Sequence, residues 1–536
     1  MLNRCMNCGG ILNFDIPSGK VKCENCDSLF EPSSFTNRTN ASENPENAEY
    51  SMSIFTCPNC GGEVASNELE AVEYCLYCGS FVTLNSHIQK VQKPDCILPF
   101  SKSKEECKES YSKMIKRKLY APKEFRDESF LEGFKGIYIP FWTYNYEYGP
   151  DVKLTGVHET RSGDYIHKQY YDIDCKADGH VNGISYDASS SFDDEISSRI
   201  VPFDPKKLKN FNDSYMFGFF ADTADVDSSL YEEDACEIAR DEIWNQISSN
   251  AQIKDGYPEK PQSNEEFDEN INLKKSSFLS MLPVWFLTWR KNDRVAYSVM
   301  NGENGEIYGE VPVDTKRYLL FSLIFAIPIF LLLNYLTTFT AAGMLKIALG
   351  LSVFMIFLYV IQLDKIVRKL LHADDKGYLE KNAEAKKKAD NAGENWLGMF
   401  WEFIVSLFKG ATLKGALGTL VAIVLVICSC FGSILLAVGI AAIVIVIYTI
   451  VRIIKDIKIL HDGTVLLDLC GSLFSLILSI AMLMEDPAGD EFYYFAAIAC
   501  IVGVGLTAIF TMKRHNELVT RPIPHFFDRK AGGDAE

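Results

Sequence analysis

Two short cysteine frames constrain this chain more than anything else in it. Cys5 and Cys8 with Cys23 and Cys26, then Cys57 and Cys60 with Cys75 and Cys78, both read C-x2-C, fourteen residues, C-x2-C. Every member of the second frame lies 52 residues after its counterpart, and Gly9-Gly10 maps onto Gly61-Gly62 at the same offset, so the frame is an internal repeat. Each C-x-x-C puts two thiolates on one tight turn, and two such knuckles facing across a hairpin complete a tetrahedral sulfur site. The intervening "ILNFDIPSGKVK" alternates apolar and polar around a Pro-Ser-Gly turn, as such a hairpin requires. A unit of about 30 residues buries too little to fold alone, whereas bound zinc contributes about 10–16 kcal/mol. The spacing predicts zinc ribbons over residues 1–32 and 54–86, each holding one Zn2+. Four thiolates leave no open coordination position, so the metal is expected to staple a fold rather than perform chemistry, with redox sensing or a labile metal as the alternative.

Thiolate ligands call for a reducing compartment, and the start "MLNRCMNCGG" lacks the apolar core of a secretory signal. The polar part is therefore expected to stay where it is made. The formal net charge is -18, from 71 acidic and 53 basic residues, which argues against a phosphate-gripping nucleic-acid binder. The second frame sharpens this: Glu63, Glu68, Glu70 and Glu73 lie within it, and no Lys or Arg falls between Cys57 and Cys78. Protein contact is the better use. Residues 33–53, with "NRTNASENPENAEY", read as a flexible linker; the N-x-S/T patterns at Asn37 and Asn40 mean nothing without a glycosylating compartment.

Residues 94–315 read as an α+β domain. Ser103 with Glu106 forms a capping box ahead of Cys107, Tyr111, Met114, Ile115 and Leu119 at helical spacing, and "GIYIPFWTYNYEY" follows as a strand. The series recurs: Ser229 with Glu232 caps a helix with Ala235, Ile238, Ala239, Ile243 and Ile247 on one face. A loop then leads to "SMLPVWFLTWRKNDRVAYSVMNGENGEIYGEVPVD", whose turns around Gly302 and Gly305 predict a hairpin meander. Pro140-Phe141-Trp142 and Pro283-Val284-Trp285 occupy matching places, which points to a divergent duplication with these aromatics in its core. No phosphate loop, dinucleotide fingerprint, nucleophile elbow or H-E-x-x-H occurs, so no catalytic residue is assigned. His158, His167, His180, Asp172 and Asp174 could approach one another only if adjacent strands carry them, and they read as exposed strand and loop residues. The remaining cysteines, Cys96, Cys107, Cys175, Cys236, Cys428, Cys430, Cys470 and Cys500, read as small buried hydrophobes.

From Tyr318 onward the chain has apolar runs of membrane-spanning length. Spans are expected at 318–338, 344–363, 416–434, 436–452, 464–484 and 492–512, making an all-α membrane domain over 318–513 with a tail over 514–536. Lys365, Arg368, Lys369 and Lys386–Lys388 precede the third span and Arg452, Lys455 and Lys458 follow the fourth, whereas the loop "EDPAGDE" is acidic. By the positive-inside rule both termini are cytoplasmic. "NWLGMFWEFIVSLFKG", with Trp396, Trp401 and Lys409, is too short to cross and reads as interfacial. Asp468 stands about a turn inside the fifth span, with Asn334 and Gln362 near span ends; the spans show no polar stripe of the kind that lines a pathway.

Together the tandem frames, "PFWTY", "LPVW…NGENGEIYGEVPVD" and the following membrane segment resemble the TFIIB-type zinc-ribbon-containing membrane proteins of Gram-positive bacteria, a family often labelled after the primosomal helicase PriA. The resemblance covers roughly residues 1–340 and implies the ribbon ligands Cys5, Cys8, Cys23, Cys26, Cys57, Cys60, Cys75 and Cys78. It also implies a bacterial cell-membrane location and, from relatives encoded beside SPFH and phage-shock proteins, an adaptor role in membrane stress. No helicase motor is present, so the helicase label does not carry over. The sequence thus predicts a multidomain, non-enzymatic, multi-pass protein with lipid and a protein partner as its contacts. Two alternatives remain: a transport component regulated by its ribbons, and membrane-tethered nucleic-acid binding.

Overall fold

The structure is a computed structural model and describes residues 4–38, 49–66, 75–81, 85–162, 165–249, 257–261, 263–336, 340–371, 464–485 and 487–526. The chain forms two compact units. One comprises Met1–Leu119, Lys123–Val311 and Thr520–Glu536; the other comprises Tyr120–Pro122 and Pro312–Val519.

The first unit is rich in sheet. Strands β1 (Leu12–Asp15), β2 (Lys20–Cys23) and β3 (Leu29–Phe30) make the small sheet of the first frame. The second frame supplies β4 (Glu49–Thr56), β5 (Glu63–Ser66) and β6 (Asn85–Gln92). Then follow β7 (Cys96–Ile97), α1 (Lys104–Arg117), α2 (Glu128–Leu131), β8 (Lys135–Tyr148), β9 (Asp151–Ser162), β10 (Tyr165–Lys176) and β11 (Gly179–Asp187). The next elements are α3 (Asp194–Ile200), β12 (Lys209–Asn210), β13 (Phe220–Ala221), α4 (Glu232–Ser248), β14 (Tyr257–Glu259) and α5 (Asn264–Ile271). A meander of β15 (Lys274–Lys291), β16 (Arg294–Asn301) and β17 (Ile307–Gly309) comes next.

The sequence repeat has a structural counterpart centred on the antiparallel pair β8–β15, in which Ile139 faces Leu282. Positions 143 apart in the two strands swap places across that pair: Pro140 faces Met281 and Pro283 faces Tyr138. On its outer edge β8 pairs in parallel with β13 through Ile137 and Tyr138, then antiparallel with β11 from Phe141 onward. Likewise β15 pairs in parallel with β7 through Ser280 and Met281, then antiparallel with β16 from Val284 onward. Each proline therefore falls where one outer partner hands over to the next, the point in a central strand where a missing N–H costs least. This explains why Pro-x-Trp appears twice. Both strands are buried on both faces over most of their length, hence their unbroken apolar runs.

Three expectations change. The linker is shorter than residues 33–53: Pro32–Arg38 forms a 3-10 helix with Phe35 buried against Phe217, and β4 begins at Glu49. Ser229 and Glu232 make no capping box, because the Ser229 hydroxyl donates to Asp227, which itself caps a preceding 3-10 turn. The second frame is not free-standing: β13 pairs with β5, which places the β5–β4–β6 run in the same 12-stranded sheet as β8 and β15. The capping box at Ser103 and Glu106 is present.

In the second unit, α6 (Thr315–Leu336), α7 (Ala341–Leu371), α8 (Thr464–Glu485) and α9 (Asp490–Val519) are each long and apolar enough to cross a membrane. Among the described residues there are four such helices, not six; the spans expected at 416–434 and 436–452 and the interfacial stretch at 395–410 lie outside the described residues. Helices α7, α8 and α9 pack closely: a Cβ built on Gly471 would stand 2.3 Å from the Gly503 carbonyl oxygen. One face of α8 carries a row of polar residues that packs against neighbouring helices. Asp468, Ser472, Ser475 and Ser479, spaced 4-3-4 along one face of α8, are all buried. Their contacts are with neighbouring helices: Thr507 binds the Ser472 N–H (3.0 Å), Ser475 meets Ser352, and Ser479 meets Cys500 (3.3 Å). Asp468 is paired by Arg514 (2.8 Å) and Tyr359 (2.9 Å), and Arg514 reaches Thr464 (2.7 Å) and Glu517 (2.9 Å). The partner of the buried acid thus comes from near the end of α9. After α9 the chain forms β18 (Arg521–Pro522) against β16 of the sheet unit.

Candidate metal centres

Both cysteine frames close in space. In each, one Sγ from every cysteine lies within 4.8 Å of the other three. The measured edges are Cys5–Cys26 3.7 Å and Cys8–Cys23 3.5 Å in the first frame, and Cys57–Cys78 and Cys60–Cys75 3.7 Å in the second. A tetrahedron with metal–sulfur bonds of about 2.3 Å has edges of about 3.8 Å, so both frames fit a tetrahedral thiolate ion such as zinc.

The knuckles explain the fit. In the first, the Cys5 N–H donates to the Gly10 carbonyl (2.8 Å) and the Gly9 N–H to the Cys5 carbonyl (2.8 Å); in the second frame Cys57, Gly61 and Gly62 repeat the pattern at 2.9 and 2.8 Å. This turn puts the fourth residue after the leading cysteine in the left-handed region: Gly9 (φ 74), Asp27 (φ 54), Gly61 (φ 76) and Gly79 (φ 65). Backbone N–H groups of Asn7, Gly10 and Gly62 point at Cys5, Cys8 and Cys60 Sγ, each at 3.4 Å, supplying dipoles that stabilise thiolate charge. Hydrogen bonds from the Ser28 hydroxyl and N–H hold the Cys26 thiol down to about 6, favouring the ligating thiolate.

The two sites differ in surroundings. In the first frame Cys5 and Cys23 are buried but Cys8 and Cys26 are exposed. This frame is anchored from behind: Phe14 N–H donates to the Phe217 carbonyl (2.9 Å), Asn212 and Ser214 donate to the Pro32 carbonyl (2.9 and 3.2 Å), and Phe35 packs edge-on against Phe217. Its front keeps Met6, Ile11 and Leu29 exposed, at 51%, 47% and 52%. In the second frame all four cysteines are buried in the main core with Ile137, Ile139, Val284 and Phe286. Tyr77 donates to Asp222 (2.5 Å), Tyr297 donates to the Tyr77 carbonyl (2.6 Å), and Thr288 bonds the Leu76 carbonyl. The tail closes the site: Phe526 N–H donates to the Cys60 carbonyl (2.6 Å) and its ring packs edge-on against Tyr77. Nothing in the sequence pattern singled out Asp222 or Phe526, because each meets the second frame from more than a hundred residues further along the chain.

Among the described residues these two frames are the clusters of three or more metal-ligating side chains drawn together. His158 and His167 pair with Gln169 and Thr160 on one face of the β9–β10 hairpin, whereas Asp172 and Asp174 pair with Thr155 and Lys153 on the other, so the histidines and acids do not meet.

The chain is similar to the uncharacterised protein YdjG of Bacillus subtilis, with 26% identity over 323 residues, spanning 59% of this chain and 91% of that protein. No family model matches the chain, and no solved structure matches it.

Proposed function

We propose that this is a non-enzymatic, zinc-binding membrane adaptor in which the first frame is the docking end and the second is a structural lock. One observation carries the division of labour: the same ligand frame is half exposed beside Met6, Ile11 and Leu29 in one copy and wholly buried in the other. An exposed apolar group on a metal-stiffened turn loses little entropy when a partner covers it. Both frames are anchored to one folded unit, so they do not search separately for sites as a flexible linker would allow. Membership of the TFIIB-type zinc-ribbon membrane proteins and a place in membrane stress are part of the same reading.

The arrangement of the sheet unit supports a topology. Val311 and Thr520 both belong to it, on either side of the apolar helices, so the intervening chain crosses a membrane an even number of times. With reduced thiolates in that unit, it lies on the cytoplasmic side together with both termini.

The test is in-cell crosslinking and pull-down from solubilised membranes, comparing the parent with Met6→Ser/Leu29→Ser. The reading expects partners to be lost from a variant that still inserts and still carries two zinc ions. An unchanged partner set removes the docking role of the first frame. A second reading, a transport component, rests on Asp468, the buried acid of α8. It requires Asp468→Asn to abolish a flux that the parent supports.

A further inference from the structure

The β9–β10 hairpin leaves its sheet unfinished. Its sheet has the order β10–β9–β14, and β14 covers β9 only at Thr155, Gly156 and Val157. Among the described residues no strand pairs with the hairpin beyond that point: His158 to Ser162 and Tyr165 to Tyr170 are all exposed, with Tyr165 at 75%, Ile166 at 59% and Tyr170 at 57%. A two-stranded ribbon bare on both faces is marginal in water, and a long strand edge with unpaired backbone groups is a template for another strand. Nearer the core, Ile173 and Cys175 pack on the cluster around Ile243 and Phe267, which fixes the register of β10 and keeps Ile166, Lys168, Tyr170, Asp172 and Asp174 together on the outward face.

We propose that the open edge of β10 is a homodimer interface, paired antiparallel with β10 of a second copy of this chain. Charge complementarity selects the occupant, and the Tyr170 pair selects the register: centring on Tyr171 also sets Lys168 against Asp174 but leaves Asp172 facing Tyr170. With Tyr170 facing Tyr170, Lys168 of each copy faces Asp172 of the other, giving two opposite-charge pairs flanking an aromatic pair on one face. Centring the pair on Asp172 sets like charges opposite each other, and centring it on Gln169 leaves Lys168 facing Tyr170 with no acid opposite. Lys168 already contacts Glu159 on the β9 side of its own strand (2.7 Å), so the second copy's Asp172 approaches the ammonium from the opposite side. Pairing joins two three-stranded sheets into one of six strands and closes the exposed edge. Spans that confine both copies to one membrane plane raise their effective concentration.

The test is a charge swap in the full chain, reconstituted in nanodiscs, with molar mass and co-purification of differently tagged copies as readouts. The parent is expected to be dimeric. Lys168→Asp and Asp172→Lys are each expected to be monomeric, since each sets two like-charge pairs face to face. Mixing the two variants restores both pairs, and a mixed dimer is expected with at least tenfold preference over either homodimer. Zinc content of two per chain in every variant checks that the sheet unit is folded. A monomeric parent overturns the proposal, as do dimers that survive both single reversals or fail to return on mixing. Capture of a different protein or of lipid at β10 by a monomeric parent also overturns it.

Discussion

Trp142 and Trp285 each reach into the other half of the duplicated domain. The Trp142 indole donates to the Val226 carbonyl (2.8 Å) just before α4, and the Trp285 indole donates to the Lys102 carbonyl (2.8 Å) just before α1. The backbone around them matches as well. Ala188 donates to the Pro140 carbonyl (2.8 Å) and accepts from Asp225 and Val226, while Gly302 donates to the Pro283 carbonyl (2.9 Å) and accepts from Ser101 and Lys102. Each tryptophan thus ties the long strand of one half to the helix start of the other.

Trp142→Phe and Trp285→Phe should therefore cost similar amounts, about 1–3 kcal/mol each, since both leave a part-buried carbonyl without its donor. Denaturant midpoints measure this. A cost confined to one site would show that the local symmetry is geometric and not energetic.

The two metal sites should empty in two phases. A chelator is expected to remove one zinc per chain quickly, from the frame with exposed Cys8 and Cys26, and the second only as the core opens. Cys57→Ser/Cys60→Ser should abolish cooperative unfolding of the sheet unit, while Cys8→Ser/Cys26→Ser should leave it. Release of both ions in a single phase contradicts this order.

Burial pushes Asp222 up to about 6, from an ordinary 3.8, although Ser189, Tyr77 and the Thr223 N–H donate to it. Between those values the folded state keeps a proton that the unfolded state has lost, so stability falls as pH rises, by about 3 kcal/mol across the window. Above the window the loss is constant. Asp222→Asn should lack this decline, seen as a shallower change in urea midpoint between about pH 4 and about pH 6. Equal slopes in parent and variant would show that Asp222 does not titrate there.

In the helical unit, Arg514→Leu strands a buried carboxylate and should cost about 3–5 kcal/mol, with Asp468→Leu/Arg514→Leu recovering much of it. Thermal unfolding in detergent compares them. A double variant as unstable as the single one would show that the pair is worth more than the charge it neutralises.

Phe526 is 5% exposed at the second frame, and Phe526→Ala should cost about 3 kcal/mol and hasten zinc loss from that frame alone. Metal-release kinetics with and without the substitution separate this from a general loosening.

What the sequence disclosed and what it withheld divide by range. Knuckle spacing is local, and the capping box at Ser103 and the apolar runs of β8 and β15 report their own surroundings. The matching places of Pro140 and Pro283 were legible, but that two outer partners meet beside each appears only in the strand pairing. Asp468 looked like an isolated acid because its partner is 46 residues further along. The difference between the two frames is invisible in their cysteines, because it is set by Tyr77, Phe526 and the strands beneath them.

The tail segment over residues 520–526 also sets an order of events during synthesis. Arg521 contacts Asp193 and Glu310, Arg294 holds Thr520, and Phe526 lies over the Cys60 knuckle, yet all three tail residues leave the ribosome after the last apolar helix. The sheet unit, although mostly encoded first, is completed last. A chain that stops early, or whose helices fail to insert, presents an open second frame with its core side showing. The Cys60 knuckle is therefore covered only once residues 520–526 have been made, after the apolar helices that precede them in the chain.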